Sequence, residues 1–351
     1  MASKFDVSAI TLNPTEVSEV AKIIVEKVFE TGLLSAEHET FTGIQTKAQI
    51  LFLEQLGIGG EKLVGCTPAE LESLKFTEKF WNPFPHFGRM THCATDENRL
   101  FKILKNAKNV YPDLFEGFEG DQVKELVAAL LISHIEESIR AKSWFSDENA
   151  ATYANGGNFT NGTNLNIFNQ NNGLWKQIIA DALIPRTTIS ENTGATKVLQ
   201  ILTAGNSVVY LKSVWDKADS RLKANTEAQF YVTPEIYNDF LWQVAQNEIN
   251  GGINQTLKNG DTGLTFMGKK IIKKDDWFRN ITQYKDNGTV YELPNRIVFT
   301  VKENIPIGTL NETDLTNLRV IFDPVSNTNI IDYGYFLDAV FGESYLASVA
   351  Y

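Results

Sequence analysis

The sequence predicts an α+β fold, and three observations carry that reading. Amphipathic helical periodicity recurs in several segments as far as about 247, with its strongest instance over 121–142. Strand-like apolar runs gather toward the C-terminus, in "LTFMGKKIIKK", "RIVFTV", "LRVIF" and "YGYFLDAVFG". No internal repeat organises the two kinds of segment.

In order along the chain, Asn13 and Pro14 form a cap and first-turn pair. Val17, Val20, Ala21, Ile24 and Val28 then recur at helical spacing until Gly32 supplies a stop. From 33 to 92 the pattern breaks into short apolar runs interrupted by Gly43, Gly57, Gly59, Gly60, Gly65, Pro68, Pro83 and Pro85. A compact domain seldom spends so long an excursion this way, so a neighbouring molecule is expected to complete it. A short helix is expected over 96–108, with Asp96 as cap and Leu100, Phe101 and Leu104 on one side. The strongest helix follows, where Val123, Leu126, Val127, Leu130, Leu131 and Ala141 share a face and Glu136 pairs with Arg140 four residues on. His134 falls on that apolar side and is read as a hydrogen-bonded core histidine.

Between 155 and 172 the chain sets eight asparagines in 18 positions. Asn and Gly accept turn and left-handed conformations, so this stretch is a connection. Helices are expected near 174–183, over 194–217 with a break, and over 234–247, where Thr233 caps and Pro234 takes the first turn. Strands fill most of the remainder.

Composition bounds the function. With 351 residues, 43% of them apolar, the chain supports a real core in two modest domains or one large one. A net charge of -11 argues against gripping nucleic-acid phosphates. Two cysteines, Cys66 and Cys93, make no disulfide framework and are read as free thiols in a reducing cytosol. The N-terminus shows no basic start followed by an apolar run, so no export signal is expected. The longest apolar run, "LVAALLI" at 126–132, is far short of a membrane span.

Chemistry-bearing patterns are sparse. His86, His92 and Cys93, with distant Cys66, have zinc-type atoms without the paired short spacings of a zinc site. "GIGGEK" at 57–62 lacks phosphate-loop spacing, which leaves Lys62 without that role. Asp275 and Asp276 are adjacent; on a strand they point to opposite faces and cannot share a proton as a catalytic dyad. No nucleophile elbow or zinc-protease motif occurs, and four histidines leave little for acid–base constellations. No catalytic, cofactor-binding or metal-binding residue is assigned, and no enzyme is expected. A carbohydrate-binding surface module stays open on the 11% aromatics and the Asn-rich loops, against the missing export signal. What remains is a protein whose product is its own shape.

The ordered succession "FTGIQTKAQI", "GCTPAE", "EKFWNPFPHFGRMTHC", "RAKSWFSD", "NNGLWKQI", "RLKANTEAQFYVTPEIYNDF", "TFMGKKIIKKDDWF", "ELPNRIVFTVKENIPIGT" and "YGYFLDAVFGESYLASVAY" resembles major capsid proteins of tailed double-stranded DNA bacteriophages, in particular those of phages and prophages of Bacteroidetes-type hosts. The resemblance runs from about residue 41 to the C-terminus and implies a Hong Kong 97-type capsid fold. It maps 1–32 to an N-terminal arm, 33–92 to the extended loop and its return, and 93–172 to a peripheral domain with the spine helix at 121–142 and the Asn-rich linker. An axial domain takes 173–315, and 316–351 returns strands to the peripheral domain. The implied function is self-assembly through hexamers and pentamers into an icosahedral shell that encloses DNA without sequence-specific binding. Small hinge adjustments at the Asn-rich linker would fit one chain to both oligomers. Implied partners are other copies of the chain, with scaffolding, portal and decoration proteins and no membrane. The implied location is the virion, after synthesis in the bacterial host cytoplasm. Some relatives cross-link an extended-loop lysine; Lys47 and Lys62 lie in that region and nothing marks either. A nanocompartment shell of the same fold is the alternative.

Overall fold

A computed structural model describes residues 33–44, 47–53, 76–93, 120–251, 263–310, 319–323 and 328–351. The helices expected over 14–31 and 96–108, with Lys62 and Cys66, lie outside the described residues. In chain order the elements are α1 (Leu33–Glu37), β1 (Thr40–Thr42), β2 (Gln49–Leu53), β3 (Phe76–Phe80), β4 (Phe84–Cys93), α2 (Gly120–Phe145), α3 (Leu174–Ala180), β5 (Arg186–Thr187) and α4 (Asn206–Lys217). They continue with α5 (Ser220–Ala224), β6 (Gln229–Val232), α6 (Pro234–Gly251), β7 (Thr265–Phe266), β8 (Lys269–Lys273) and α7 (Asp275–Tyr284). The last are β9 (Ile297–Thr300), β10 (Ile307–Thr309), β11 (Arg319–Asp323), β12 (Thr328–Ala339) and β13 (Ala347–Ala350).

Among the described residues, 33–44, 83–93, 120–143, 307–310, 319–323 and 328–338 make one compact unit; 47–53, 76–82, 144–251, 263–306 and 339–351 make another. The first unit is built on a sheet in the order β1-β10-β12-β11, with β4 also paired to β12. β4 and β12 run antiparallel from Thr328↔Cys93 to Leu337↔Phe84. This register places Gly88 opposite Tyr333, whose ring fills the space of a side chain: a Cβ on Gly88 would stand 2.1 Å from Tyr333 Cζ. Glycine is the residue that admits this close approach.

Helical and strand periods together explain how α2 meets this sheet. His134, Ser138 and Lys142 recur every four residues on one helix stripe, while Tyr333 and Tyr335 share a strand face two residues apart. His134 meets Tyr333 edge-on at 5.7 Å, Lys142 Nζ donates to Tyr335 Oη at 3.1 Å, and Ser138 Oγ lies 2.8 Å from the same hydroxyl. His134 is exposed, so the expected core histidine is corrected: the apolar stripe is carried by Ile135 and Ile139, one helix position round from it. The side chains of Val123 to Leu131, where most of the expected apolar face falls, lie outside the described ones. The Glu136–Arg140 pair is present at 2.8 Å.

Two bases are buried at this contact. His86 stacks on Tyr335 at 5.3 Å, and burial, with the Lys142 charge adding, pushes its imidazole down from 6.5 to about 3. Burial pushes the Lys142 ammonium from 10.5 down to about 8. A base whose folded pKa is lowered binds fewer protons folded than unfolded, so stability rises with pH across the gap between the two values. For His86 that gap is about 3 to 6.5, and for Lys142 about 8 to 10.5. Lys142→Met is therefore expected to stabilise the chain near neutrality by on the order of 1–3 kcal/mol. The gain should fade as pH rises from about 8 and be gone above about 10.5. Denaturant midpoints of both proteins across that range check it, and a gain that does not change with pH would refute it.

The second unit holds a sheet in the order β5-β13-β9-β6-β8-β7 and a separate antiparallel ribbon of β2 and β3. The alternation along β6 and β9 divides two layers. On one face Phe230, Val232, Ile297, Phe299 and Val301 join Leu211, Val214, Ile236 and Phe240 from α4 and α6 in a buried core. Phe230 and Phe299 stack at 4.3 Å. On the other face Tyr231 meets Trp144, which packs against Trp175 and Trp277 at 5.9 and 4.6 Å. Burial on both faces explains why "RIVFTV" reads as a continuous apolar run without alternation.

The Asn-rich stretch belongs to this second unit. It folds as a compact loop around Phe159 and Phe168, which pack together at 5.1 Å and are shut off from solvent. The asparagine side chains replace backbone partners: Asn161 Oδ1 accepts from the Ala154 N–H, Asn164 Oδ1 from the Asn166 N–H, and Asn172 Oδ1 from the Glu148 N–H. Asn158 Nδ2 donates to Glu292 at 2.7 Å, and Glu292 also pairs with the buried Lys285 at 3.1 Å. Asn is used here because a turn-rich chain leaves backbone groups that only short amides reach.

One expectation is overturned outright. Asp275 and Asp276 open α7 and do not lie on a strand. Carboxylates are favoured in the first turn of a helix, and Asp276 pairs there with the buried Lys274 at 3.3 Å.

Candidate assembly surface

β5, β13, β6 and β8 all point one way, because β13 pairs parallel to β5, antiparallel to β9, and β9 antiparallel to β6, itself parallel to β8. The segments leaving β5, β6 and β8, and the one entering β9, therefore meet at a single end of the sheet. There they form a cleft of about 250 Å³ lined by Lys197, Val198, Gln200, Ile201, Glu235, Phe278, Tyr291 and Pro294.

The segment after β5 carries the outward apolar side chains and is tied down by buried amides. Gln200 Nε2 donates to the Tyr291 and Asn192 carbonyls at 2.7 and 3.2 Å, and its Oε1 accepts from the Tyr291 N–H at 2.8 Å. Asn192 and Asn295 exchange two bonds, Nδ2 to carbonyl at 2.8 Å and N–H to Oδ1 at 3.0 Å. Asn295 Nδ2 then closes the set on the Gln200 carbonyl at 2.9 Å. Asn295 Oδ1 is left without a partner, but the linked bonds of the three amides still tie the segment to one backbone geometry.

Carboxylates hold the other flank. Glu191 accepts from Tyr210 Oη at 2.5 Å, Asn206 Nδ2 at 2.6 Å and the Thr203 N–H at 3.2 Å. Burial works to raise its pKa, but these bonds outweigh it and hold the group at about 2. Asp239 on α6 accepts from the Gly205 and Ser207 N–H groups at the start of α4, where the helix dipole favours a negative charge. Glu235 accepts from the Leu202 N–H at 2.6 Å; burial raises its pKa, and the charges of Glu191 and Asp239 add to the rise. Lys197 Nζ is paired with Asp286 at 2.7 Å.

The result is a rigid rim whose charges are paired and whose free surface is apolar. Val198 is 73% exposed and Ile201 58%, with Leu199 between them also exposed. The expected helix over 194–217 begins at 206, because the preceding residues are committed to these tertiary bonds. Sequence reading missed the rim: "KVLQIL" fits a helix face, and only the buried polar positions Asn192, Gln200 and Asn295 distinguish it.

Of the residues weighed for chemistry, His86 is occupied by Tyr335, and the side chains of His92 and Cys93 lie outside the described ones. Among the described residues no three His, Cys, Asp or Glu side chains come together so as to hold a metal ion, and no helix is long and apolar enough to cross a membrane. Lys47 sits at φ 65° and donates its N–H to the Trp81 carbonyl at the base of the β2–β3 ribbon.

Each of the two units is built from strands and helices drawn from distant parts of the sequence, and β2 and β3 pair in a separate ribbon. The fold is the Hong Kong 97 type. A chain of the satellite phage P4 procapsid with its size determination (Sid) protein matches over 95% of this chain and 97% of its own, with a TM-score of 0.55 and 9% identity. Weaker likenesses include Mycobacterium phage Ogopogo, at TM-score 0.49 and 12% identity over 91% of each chain. Another is the virus-like particle from Pyrococcus furiosus, at TM-score 0.44 and 8% identity over 96% of this chain and 98% of that one. No family model and no curated protein matches the chain.

Proposed function

We propose that the chain is the major capsid protein of a tailed double-stranded DNA phage or prophage of a Bacteroidetes-type host, assembling through hexamers and pentamers into an icosahedral shell. The observation that carries this reading is the end-to-end likeness to the P4 procapsid chain, which spans nearly the whole of both proteins. In this reading 1–32 is the arm, 33–92 the extended loop with the β2–β3 ribbon, and 93–172 the peripheral domain with the spine helix. Residues 173–315 form the axial domain and 316–351 the strands that return. The protein acts by shape, not by catalysis, and resides in the virion. Scaffolding, portal and decoration proteins are its partners. The net charge of -11 suits a container that confines DNA and releases it.

Electron microscopy with sedimentation of the purified chain is the test. Closed shells, hexamers or pentamers are expected; a monodisperse 39.3 kDa species across salt and concentration would sink the reading. Shells that enclose a protein cargo and never DNA in the producing cell would point to a nanocompartment.

A further inference from the structure

The turn that follows α7 and the Asn-rich loop bring a lysine, a carboxylate and an amide together. Lys285 and Glu292 stand opposite each other in that turn, where the Glu292 N–H donates to the Lys285 carbonyl at 2.9 Å and Asp286 bridges to Tyr291. The loop is laid against it by two further bonds, from the Thr160 N–H to the Tyr284 carbonyl at 2.8 Å and from the Asp286 N–H to Thr160 Oγ1 at 2.9 Å. Asn158 thereby reaches the same carboxylate as Lys285. Glu292 Oε1 accepts from Asn158 Nδ2 at 2.7 Å, and Oε2 lies 3.1 Å from Lys285 Nζ. That Oε2 is buried and accepts from no other group.

The surroundings favour a reactive amine. Phe159, next to Asn158 in the chain, is shut off from solvent, and the centre of its ring lies 3.7 Å from Lys285 Nζ. Lys285 is buried as well. Burial, the largest influence, lowers the pKa of its ammonium, and the Arg296 charge adds to the fall; Glu292 and Asp147 work the other way without reversing it. A desolvated lysine gives up its proton and becomes a nucleophile more readily than one in water.

We propose that Lys285 and Asn158 join in a covalent amide within one chain, with Glu292 as the catalytic residue. Glu292 Oε2 takes the ammonium proton, and the neutral amine attacks Asn158 Cγ to form the Nζ–Cγ bond. Nζ sheds a second proton as that bond forms, and Glu292 passes both to Nδ2 through the oxygen that already holds it. The Cγ–Nδ2 bond then breaks with its electron pair on nitrogen, which leaves as ammonium, and Glu292 ends as the carboxylate it began as. No outside reagent is consumed. The reaction runs once per chain, and its driving advantage is that the fold holds all three groups together beforehand. Both partners lie in the second unit, so the bond neither requires nor reports assembly, and it stands or falls apart from the shell reading.

Intact mass spectrometry of the purified full chain, with peptide mapping, is the test. The chain is expected to be lighter than its sequence by one ammonia and to yield a branched peptide joining residues 158 and 285. A succinimide at an Asn-Gly pair also loses ammonia but takes up water in mild base, whereas the amide survives, so the mass is read after that treatment. Lys285→Arg and Glu292→Gln should each show the full mass of their sequences and no branched peptide, with circular dichroism melting to confirm that they fold. Full sequence mass in the folded, unmodified chain would overturn the proposal whatever the variants do. An ammonia loss without the branched peptide, or one retained in Lys285→Arg, would overturn it too. Undiminished linkage in Glu292→Gln would remove the role given to the carboxylate.

Discussion

Replacing residues 49–80 with a short Gly/Ser linker is expected to abolish shells while leaving a folded chain. The ribbon of β2 and β3 is paired in a sheet of its own, from Gln49↔Phe80 to Leu53↔Phe76. A lone two-stranded ribbon is marginal in water, and Phe80 on it is more than half exposed. Its stabilising contacts are therefore expected on another molecule. A standard interface buries about 1,600 Å² in total, so removal of one per subunit should prevent assembly at working concentrations. The deletion starts after β1 because Thr40–Thr42 pair in parallel with Ile307–Thr309 in the sheet of the first unit. Circular dichroism melting and electron microscopy of one sample decide the matter. An aggregated variant without a cooperative transition would place the ribbon in a domain core, and normal shells would deny it any role between subunits.

The largest loss of stability from a single substitution is expected at Trp144. This side chain is completely buried and lies within 6.3 Å, centroid to centroid, of Trp175, Trp277 and Tyr231. Truncation to alanine removes the transfer free energy of an indole and leaves a cavity bounded by rings held on separate elements, so collapse is poor. Trp144→Ala should cost about 3–5 kcal/mol, and Trp144→Phe distinctly less. Denaturant midpoints measure both. A loss below about 1 kcal/mol for alanine would show that the three remaining rings close the space.

Much of this architecture was legible from local patterns. The helices of 120–145 and 234–251 carry long periodic faces with recognisable ends, and Pro234 after Thr233 marks its own start. The strands at 269–273 and 297–300 announce themselves by apolar runs. Where reading failed, a tertiary partner had overridden the local signal. Asp275 and Asp276 follow the end of a strand at Lys273 by one residue, and only the helix that forms around Trp277 reveals their first-turn position. His134 shares an apolar stripe in projection, yet it is exposed and meets Tyr333 edge-on. The rim at 190–203 was invisible for a related reason: its order comes from amides whose partners lie about a hundred residues away, as between Asn192 and Asn295.

The Asn-rich loop has a consequence for chemical ageing. Asn155, Asn161 and Asn172 each precede glycine, the pairing in which the following backbone nitrogen attacks the side-chain carbonyl most readily, expelling ammonia through a succinimide. A protein held in service for long periods would accumulate such damage. Here Asn161 is held by the Ala154 N–H and Asn172 by the Glu148 N–H, while Asn155 donates to Thr152. Gly156 and Gly162 are fixed at φ 77° and 89°. The rotation needed for ring closure must first break these bonds, so the same amides that shape the loop also slow its decay.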